Sequence, residues 1–364
     1  MFRPLGSSRA ILFCLVWLSL CTMTRADSTD AYVQGQMEQR HIPGLCLAVV
    51  QDGKVVKHRG YGLANVELNV PVTTTTVFEI GSITKQFTAA LIMMLVADGK
   101  LALDDPVRQH LDNIPEAWHD MKVRHLLTHT SGLRNYTGLD GFEVRKKLNC
   151  EAFIRQLSTE PVEFKPGERF SYCNSGYNLL GYLIEMKSGT SYWTVLRERI
   201  LMPLGMDQTR SRDTTEIVTN RAAGYELTRE KLVNRDSALT DVFAAGAIVS
   251  TVSDALKWNA SLDNGTLLTK TSLAKMWAPM KLNSGQTYPY GLGFRVEDYQ
   301  GRQNIGHSGS TSGFSASLQR FPQDKLAVIV LCNFGEQGVA TKIARGVAEL
   351  YFSPAREAGG DTKP

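Results

Sequence analysis

The stretch EIGSITKQFTAALIMMLV, residues 79–96, carries a single cation, Lys85, in a run that is otherwise apolar or small between Glu79 and Asp98. An ammonium in such company costs several kcal/mol unless something compensates it. The all-round apolarity predicts a central helix beginning at Ser82 rather than a superficial one. Residues three apart share one helical face, so Ser82 and Lys85 can bring a hydroxyl and an amine together. The helix N-terminus adds a partial positive charge and free N–H groups beside the serine. Desolvation lowers a lysine's pKa, and an amine that is neutral part of the time accepts a proton, so a nucleophile can be built here without a histidine. The plain alternative is that Ser82 caps the helix and Lys85 snorkels to the surface.

Ahead of this helix, residues 31–40 read as a short helix, and GLCLAVVQDGKVVKHRGYG, residues 44–62, reads as two strands around an Asp52-Gly53 turn. Behind it the pattern becomes helical and loop-rich, punctuated at KPGER, KSGTS and MPLGM, with helix-like runs at 150–157, 175–186 and 192–200. A helix is expected near 252–262. Strand signals then return at YGLGFRVE, RQNIGHSG, SASLQRF and LAVIVLCNF, and a last helix covers 339–351. Strands at both ends and helices between predict one antiparallel sheet shared by the two ends and covered by the first and last helices. The expected division is a sheet-containing part from 27–103 and 242–354, a helical subdomain over 104–241, and a tail at 355–364. There is no internal repeat or low-complexity tract.

With 364 residues, 43% hydrophobic and 21% charged, the chain can bury a large core, which excludes disorder as its main theme. Arg3 and Arg9 precede an apolar run at 11–20 that ends near Thr24-Arg25-Ala26, the pattern of a secretory signal over 1–26. That run is short for a bilayer span, so a retained anchor is the lesser reading, as is lipidation of Cys21. A secreted or periplasmic protein is expected, with no stable membrane span after the signal is removed. Loss of the leader takes three arginines and no acids, lowering the net charge from +4 to +1, so no footprint for nucleic acid remains. Four of the six cysteines stay, Cys46, Cys150, Cys173 and Cys332, and could form up to two disulfides in three pairings.

Two distant segments give the Ser82–Lys85 pair company. ERFSYCNSGYNLLGYLI, residues 168–184, puts Tyr172-Cys173-Asn174 ahead of a helix, and IGHSGSTSGF, residues 305–314, puts His307-Ser308-Gly309 at the end of a strand. With Ser82-Ile83-Thr84-Lys85 these resemble, in order, the three elements of serine β-lactamases and penicillin-binding proteins. The tyrosine in the second element is similar to the branch of class C β-lactamases, DD-carboxypeptidases, D-aminopeptidases and related esterases, as are HLLTHTSGL (125–133), YGLGF (290–294) and AAGAIVSTVSDALKW (244–258). The resemblance implies an α/β (α+β) fold of the β-lactamase/transpeptidase kind, a central antiparallel sheet flanked by helices with a mostly helical inserted subdomain. It implies Ser82 as acyl-accepting nucleophile, Lys85 as the amine that lowers its proton affinity, and Tyr172 as base, the pair acting jointly. Asn174 would hold substrate and help position Lys85. His307, Ser308, Gly309 and Ser310 would line the substrate cleft, with an oxyanion hole from the N–H groups of Ser82 and Ser310, the latter on an edge strand.

His307 departs from the lysine of typical β-lactamases, so a permanent cation becomes a titratable imidazole, and activity is expected to vary between about pH 5 and 8. The substrate expected is a small molecule or short peptide: a D-amino-acid peptide first, a short-chain ester second, a β-lactam third. A non-catalytic scaffold that kept the fold is the reading from another class. No Gly-x-Ser-x-Gly elbow and no nucleotide-binding loop occurs. No cofactor and no metal is expected. His125 and His129 have helical metal-ligand spacing but no following glutamate, and are expected to be structural, hydrogen-bonded near a helix's C-terminal turn. Oligomeric state is left open.

Overall fold

A computed structural model of the chain describes residues 25–139, 148–213, 215–235 and 242–352. The leader expected over 1–26 lies outside these residues except for its last two, whose backbone opens the Arg25–Arg40 helix, and the tail at 355–364 lies outside them altogether.

Seven antiparallel strands form the main sheet, in the order Arg295–Tyr299, Arg302–Thr311, Phe314–Phe321, Leu326–Cys332, Gly44–Gln51, Lys54–Asn65, Val70–Pro71. The two ends of the chain meet in its middle, where Gly44–Gln51 pairs with Leu326–Cys332 from Leu45↔Cys332 to Gln51↔Leu326. Successive side chains of a strand face opposite ways. Leu45, Leu47 and Val49 therefore enter a core with Val33, Ile343 and Val347 of the first and last helices, while Cys46 and Ala48 enter the larger core around the Thr84–Ala97 helix. Burial on both faces is why these strands read as continuous apolar runs. The same alternation sends Cys46 and Cys332 to opposite faces, and all four cysteines that the sequence offered for disulfides are free thiols.

The Thr84–Ala97 helix runs behind the sheet and is buried at every position from Thr84 to Leu95. Full burial of side chains such as Leu91, Ile92 and Leu95 contributes about 1.5–3 kcal/mol each. A 3-10 turn, Gly81–Ile83, precedes it, so the helix expected from Ser82 starts at Thr84. On its far side lies the Asn174–Ser188 helix.

One expected strand is shorter than its segment, and the middle of the chain, expected to be mostly helical, carries short strands as well. YGLGFRVE is extended only from Arg295, because Gly293 turns with φ +77° and packs where a Cβ would lie 2.7 Å from the Lys85 carbonyl oxygen. The middle of the chain is not helical throughout: Tyr225–Thr228 and Lys231–Asn234 form a hairpin, and Arg210–Ser211 pairs with Ile248–Ser250, which pairs with Phe78–Glu79. Strands two to four residues long leave little periodicity to read. That small sheet nonetheless fixes the chain just ahead of Ser82.

Candidate active site

Ser82 lies in the 3-10 turn and caps nothing, since neither the turn nor the following helix has a side-chain cap bond at its N-terminus. Lys85 is 0% exposed and does not snorkel. Its Nζ lies 3.1 Å from Ser82 Oγ, 2.8 Å from Asn174 Oδ1 and 2.7 Å from the Ala245 carbonyl oxygen. The rings of Tyr172 and Tyr177 stand 4.8 and 5.4 Å from it. No carboxylate pairs with it among the described residues, and burial pushes its pKa well below the usual lysine value against a weaker opposing influence of Cys173. Nζ donates to all three oxygens, and loss of one proton would keep the bonds to the two carbonyl-type oxygens and leave a lone pair for the Ser82 hydroxyl. Asn174 is itself held, its N–H donating to Asn135 Oδ1 and its Nδ2 to Thr137 Oγ1.

The Tyr172 hydroxyl is buried and makes no aligned hydrogen bond among the described residues. It lies close enough to Ser82 for that hydroxyl to lower its proton affinity, but burial outweighs this and raises the phenol's pKa. The resting phenol therefore keeps its proton, and the group ready to accept one is the amine.

Beneath Tyr172 the structure joins residues from four quoted segments. The His129 ring sits 4.2 Å from the Tyr172 ring, centroid to centroid. Cys173 N–H donates to His129 Nδ1 at 3.0 Å, which leaves the proton on Nε2 to be donated to Tyr290 Oη at 3.1 Å. Tyr290 then donates to His307 Nε2 at 3.0 Å, and His307 Nδ1–H donates to the Ser308 carbonyl at 2.6 Å. Each nitrogen has one role, and both imidazoles are neutral. Burial, followed by repulsion from whatever charge Lys85 keeps, lowers His307 to about 3 and drives His129 well below its usual value. The titratable imidazole expected at the third element is thus corrected: His307 is 2% exposed, both its ring nitrogens are hydrogen-bonded, and burial favours its neutral form.

The pair His125 and His129 is structural and hydrogen-bonded around the end of a short helix, as expected. The helix between them is only Val123–Leu127, so His125 stands at its first turn, where Nδ1 accepts the Lys122 N–H at 3.1 Å. His129 lies beyond the helix in left-handed backbone, φ +59°, a strained state that costs roughly 1–3 kcal/mol and tends to mark sites.

Ser310 sits on Arg302–Thr311, the second strand of the sheet rather than its edge. Its neighbour Arg295–Tyr299 pairs only as far as Arg295↔Gly306, so residues 307–311 are uncovered on that side and lie against the Ser82 turn. A Cβ on Gly309 would fall 1.9 Å from the Ile80 carbonyl oxygen and 3.0 Å from Ser82 N, and one on Gly81 would fall 2.9 Å from Ser310 N. Only glycines allow the two peptides this close, and Gly81 also needs its φ of +50°.

Ser82, Lys85, Tyr172 and Asn174 thus come together, with Gly309 and Ser310 packed against the Ser82 turn and His307 joined to Tyr172 through ring contact. Sequence reading missed His129, Tyr290, the Ala245 carbonyl and Arg295, a half-exposed cation paired with Glu297 whose charge lowers the pKa of Tyr172, His129 and His307. The signal for the two buried side chains was there: a histidine and a tyrosine standing in otherwise apolar or small stretches.

Comparison with known proteins places these features in context. The family model described as Beta-lactamase matches residues 29–351. Penicillin-binding protein 4* of Bacillus subtilis (strain 168) is 30% identical over 314 residues, covering 81% of this chain and 69% of that protein. A D-aminopeptidase of Brucella anthropi is 29% identical over 348 residues, covering 91% of this chain, which spans only 65% of that relative's length. The crystal structure of D-amino acid amidase from Ochrobactrum anthropi SV3 complexed with D-phenylalanine superposes with a TM-score of 0.77 at 26% identity, covering 89% of this chain and 98% of that one.

Proposed function

This chain belongs to the Beta-lactamase family and is a serine hydrolase, and on that premise we propose that it cleaves amide bonds of D-amino-acid peptides or amides through an acyl-enzyme on Ser82. One observation carries the proposal: a wholly buried amine with no carboxylate partner among the described residues, 3.1 Å from the Ser82 hydroxyl.

Ser82 Oγ attacks the substrate carbonyl carbon. As the new C–O bond forms, the hydroxyl proton passes to the Lys85–Tyr172 pair, Lys85 accepting first because burial favours its neutral amine and keeps the proton on the phenol. The carbonyl oxygen takes up the electron pair beside the N–H groups of Ser82 and Ser310, each such donor contributing roughly 10²-fold or more. Collapse breaks the C–N bond, and the leaving nitrogen takes a proton from the pair, the buried phenol being a suitable donor. Water then repeats the sequence on the ester, giving the acid and restoring Ser82–OH.

Asn174 holds Lys85 and faces the substrate amide, and His307 to Ser310 line the cleft. Two features favour D-amino-acid amide chemistry over β-lactam hydrolysis: the names of the relatives, and a third element that carries no cation. The leader pattern supports an exported protein, which N-terminal sequencing of the mature chain tests.

The experiment is mass spectrometry after incubation with a p-nitrophenyl ester and with a labelled penicillin. An acyl adduct is expected on the wild type and not on Ser82→Ala, and an unmodified wild type across both probes removes the acyl-enzyme. Comparing kcat/KM for a D-Ala-D-Ala peptide, a D-amino-acid amide, a short ester and a cephalosporin ranks the substrates, with the D-amino-acid compounds expected first.

A further inference from the structure

Three residues before Ser82, Glu79 is fully buried, with Oε1 3.2 Å from Arg212 Nε and Oε2 accepting from Thr311 Oγ1 at 2.8 Å. Thr311 directly follows Ser310. The carboxylate therefore bridges the two chain segments that carry the paired backbone N–H groups.

No backbone hydrogen bond among the described residues joins 79–83 to 307–311, although the segments touch at Gly81 and Gly309. Their contact limits how near the two can come. Something else must limit how far they part, and a side-chain bond from one to the other does so. Arg212 completes the device: its own backbone N–H donates to the Ala247 carbonyl at 2.8 Å, two residues from the carbonyl that holds Lys85. Glu79 is also fixed by pairing opposite Val249.

We propose that Glu79, braced by Arg212 and gripping Thr311, is a positioning residue that sets the gap between the N–H groups of Ser82 and Ser310. The proposal rests on the acyl-enzyme reading above. A misplacement of a few tenths of an ångström weakens both donors at the moment charge develops on the substrate oxygen, and leaves ground-state binding largely alone.

The test uses the full chain acylated with carbonyl-¹³C p-nitrophenyl acetate and follows the acyl carbonyl by infrared difference spectroscopy. Thr311→Val keeps the shape and removes the hydroxyl. We expect its acyl carbonyl to absorb at higher wavenumber, because weaker donors polarise it less, with kcat about 10-fold lower and KM little changed. Thr311→Ser restores the band and the rate. Glu79→Gln, which keeps an acceptor for Thr311 but loses the charge facing Arg212, gives a smaller shift in the same direction. If the pair only supports the fold, the melting temperature falls while the band stays in place. A Thr311→Val enzyme with the wild-type band and a kcat within about twofold overturns the proposal and leaves the acyl-enzyme reading standing. A wild type that forms no adduct on Ser82 overturns both.

Discussion

Glu79 and Lys85 stand three residues to either side of Ser82, both buried, and differ in what offsets their burial. Glu79 has an ion-pair partner in Arg212. Lys85 has, among the described residues, the oxygens of Asn174, Ala245 and Ser82 and the faces of two tyrosine rings, but no carboxylate. A guanidinium at hydrogen-bonding distance compensates a buried charge, whereas carbonyl dipoles compensate it partly, and the cheaper course for an amine is to give up its proton. The same apolar surroundings thus yield a brace on one side of the serine and a proton acceptor on the other.

The contrast is broken most severely at Lys85. Lys85→Met removes the proton acceptor and replaces a desolvated amine with a side chain suited to the core. We expect kcat on a p-nitrophenyl ester to fall by about 10⁴-fold while thermal denaturation shows stability held or raised. A loss of less than tenfold would remove the lysine from the chemistry. The opposite pattern belongs to Glu79. Glu79→Ala removes the carboxylate that faces the buried Arg212 guanidinium and is expected to cost about 3–5 kcal/mol in urea denaturation, and Glu79→Leu with Arg212→Met should recover most of it. A single variant no less stable than the double one would show that the pair is not the brace described.

A smaller effect separates the lysine from the chain of hydrogen bonds beneath it. Tyr290→Phe deletes the hydroxyl that links His129 to His307, leaving a buried N–H and a buried ring nitrogen without their partner, at about 1–3 kcal/mol. With ¹⁵N-labelled histidine, the wild type should give His129 as the Nε2–H and His307 as the Nδ1–H tautomer, and the variant should lose the fixed assignment at His307. A charged His307 in the wild type at pH 7 contradicts the arrangement.

Much of this was legible because each feature has a local signature. A lone lysine in an apolar helix, a serine one turn before it, and strands of continuous Val, Leu and Ile announce themselves within a few residues. The Ser82–Lys85 contact follows from helical spacing alone. What stayed hidden depends on distance in the chain: Tyr290 lies 161 residues from His129, and Thr311 lies 232 from Glu79. His307 was misjudged for the same reason. Its residue type suggested a group that titrates near neutrality, but its burial under Tyr290 and Tyr172 is decided by how three segments pack, which no window of sequence contains.

The smallest expected effect is an absence, and it tests that correction. If His307 stays neutral above about pH 3, the ratio of kcat/KM for a D-Ala-D-Ala peptide to that for its C-terminal amide should not change between pH 5 and 8, since titration of Lys85 affects both alike. Arg295, the cation beside this site, should set the ratio instead, so Arg295→Ala lowers it by a similar factor at every pH. Stability, in contrast, should respond to pH. An unfolded histidine binds a proton below about 6.5, while the folded His307 does so only near 3, so its contribution is complete above 6.5 and is lost as pH falls between those values. Melting temperatures across that window should therefore decline more steeply for the wild type than for His307→Asn. A substrate ratio that bends near pH 6 while the two melting curves run parallel would restore the charged imidazole and remove the distinction drawn between it and Lys85.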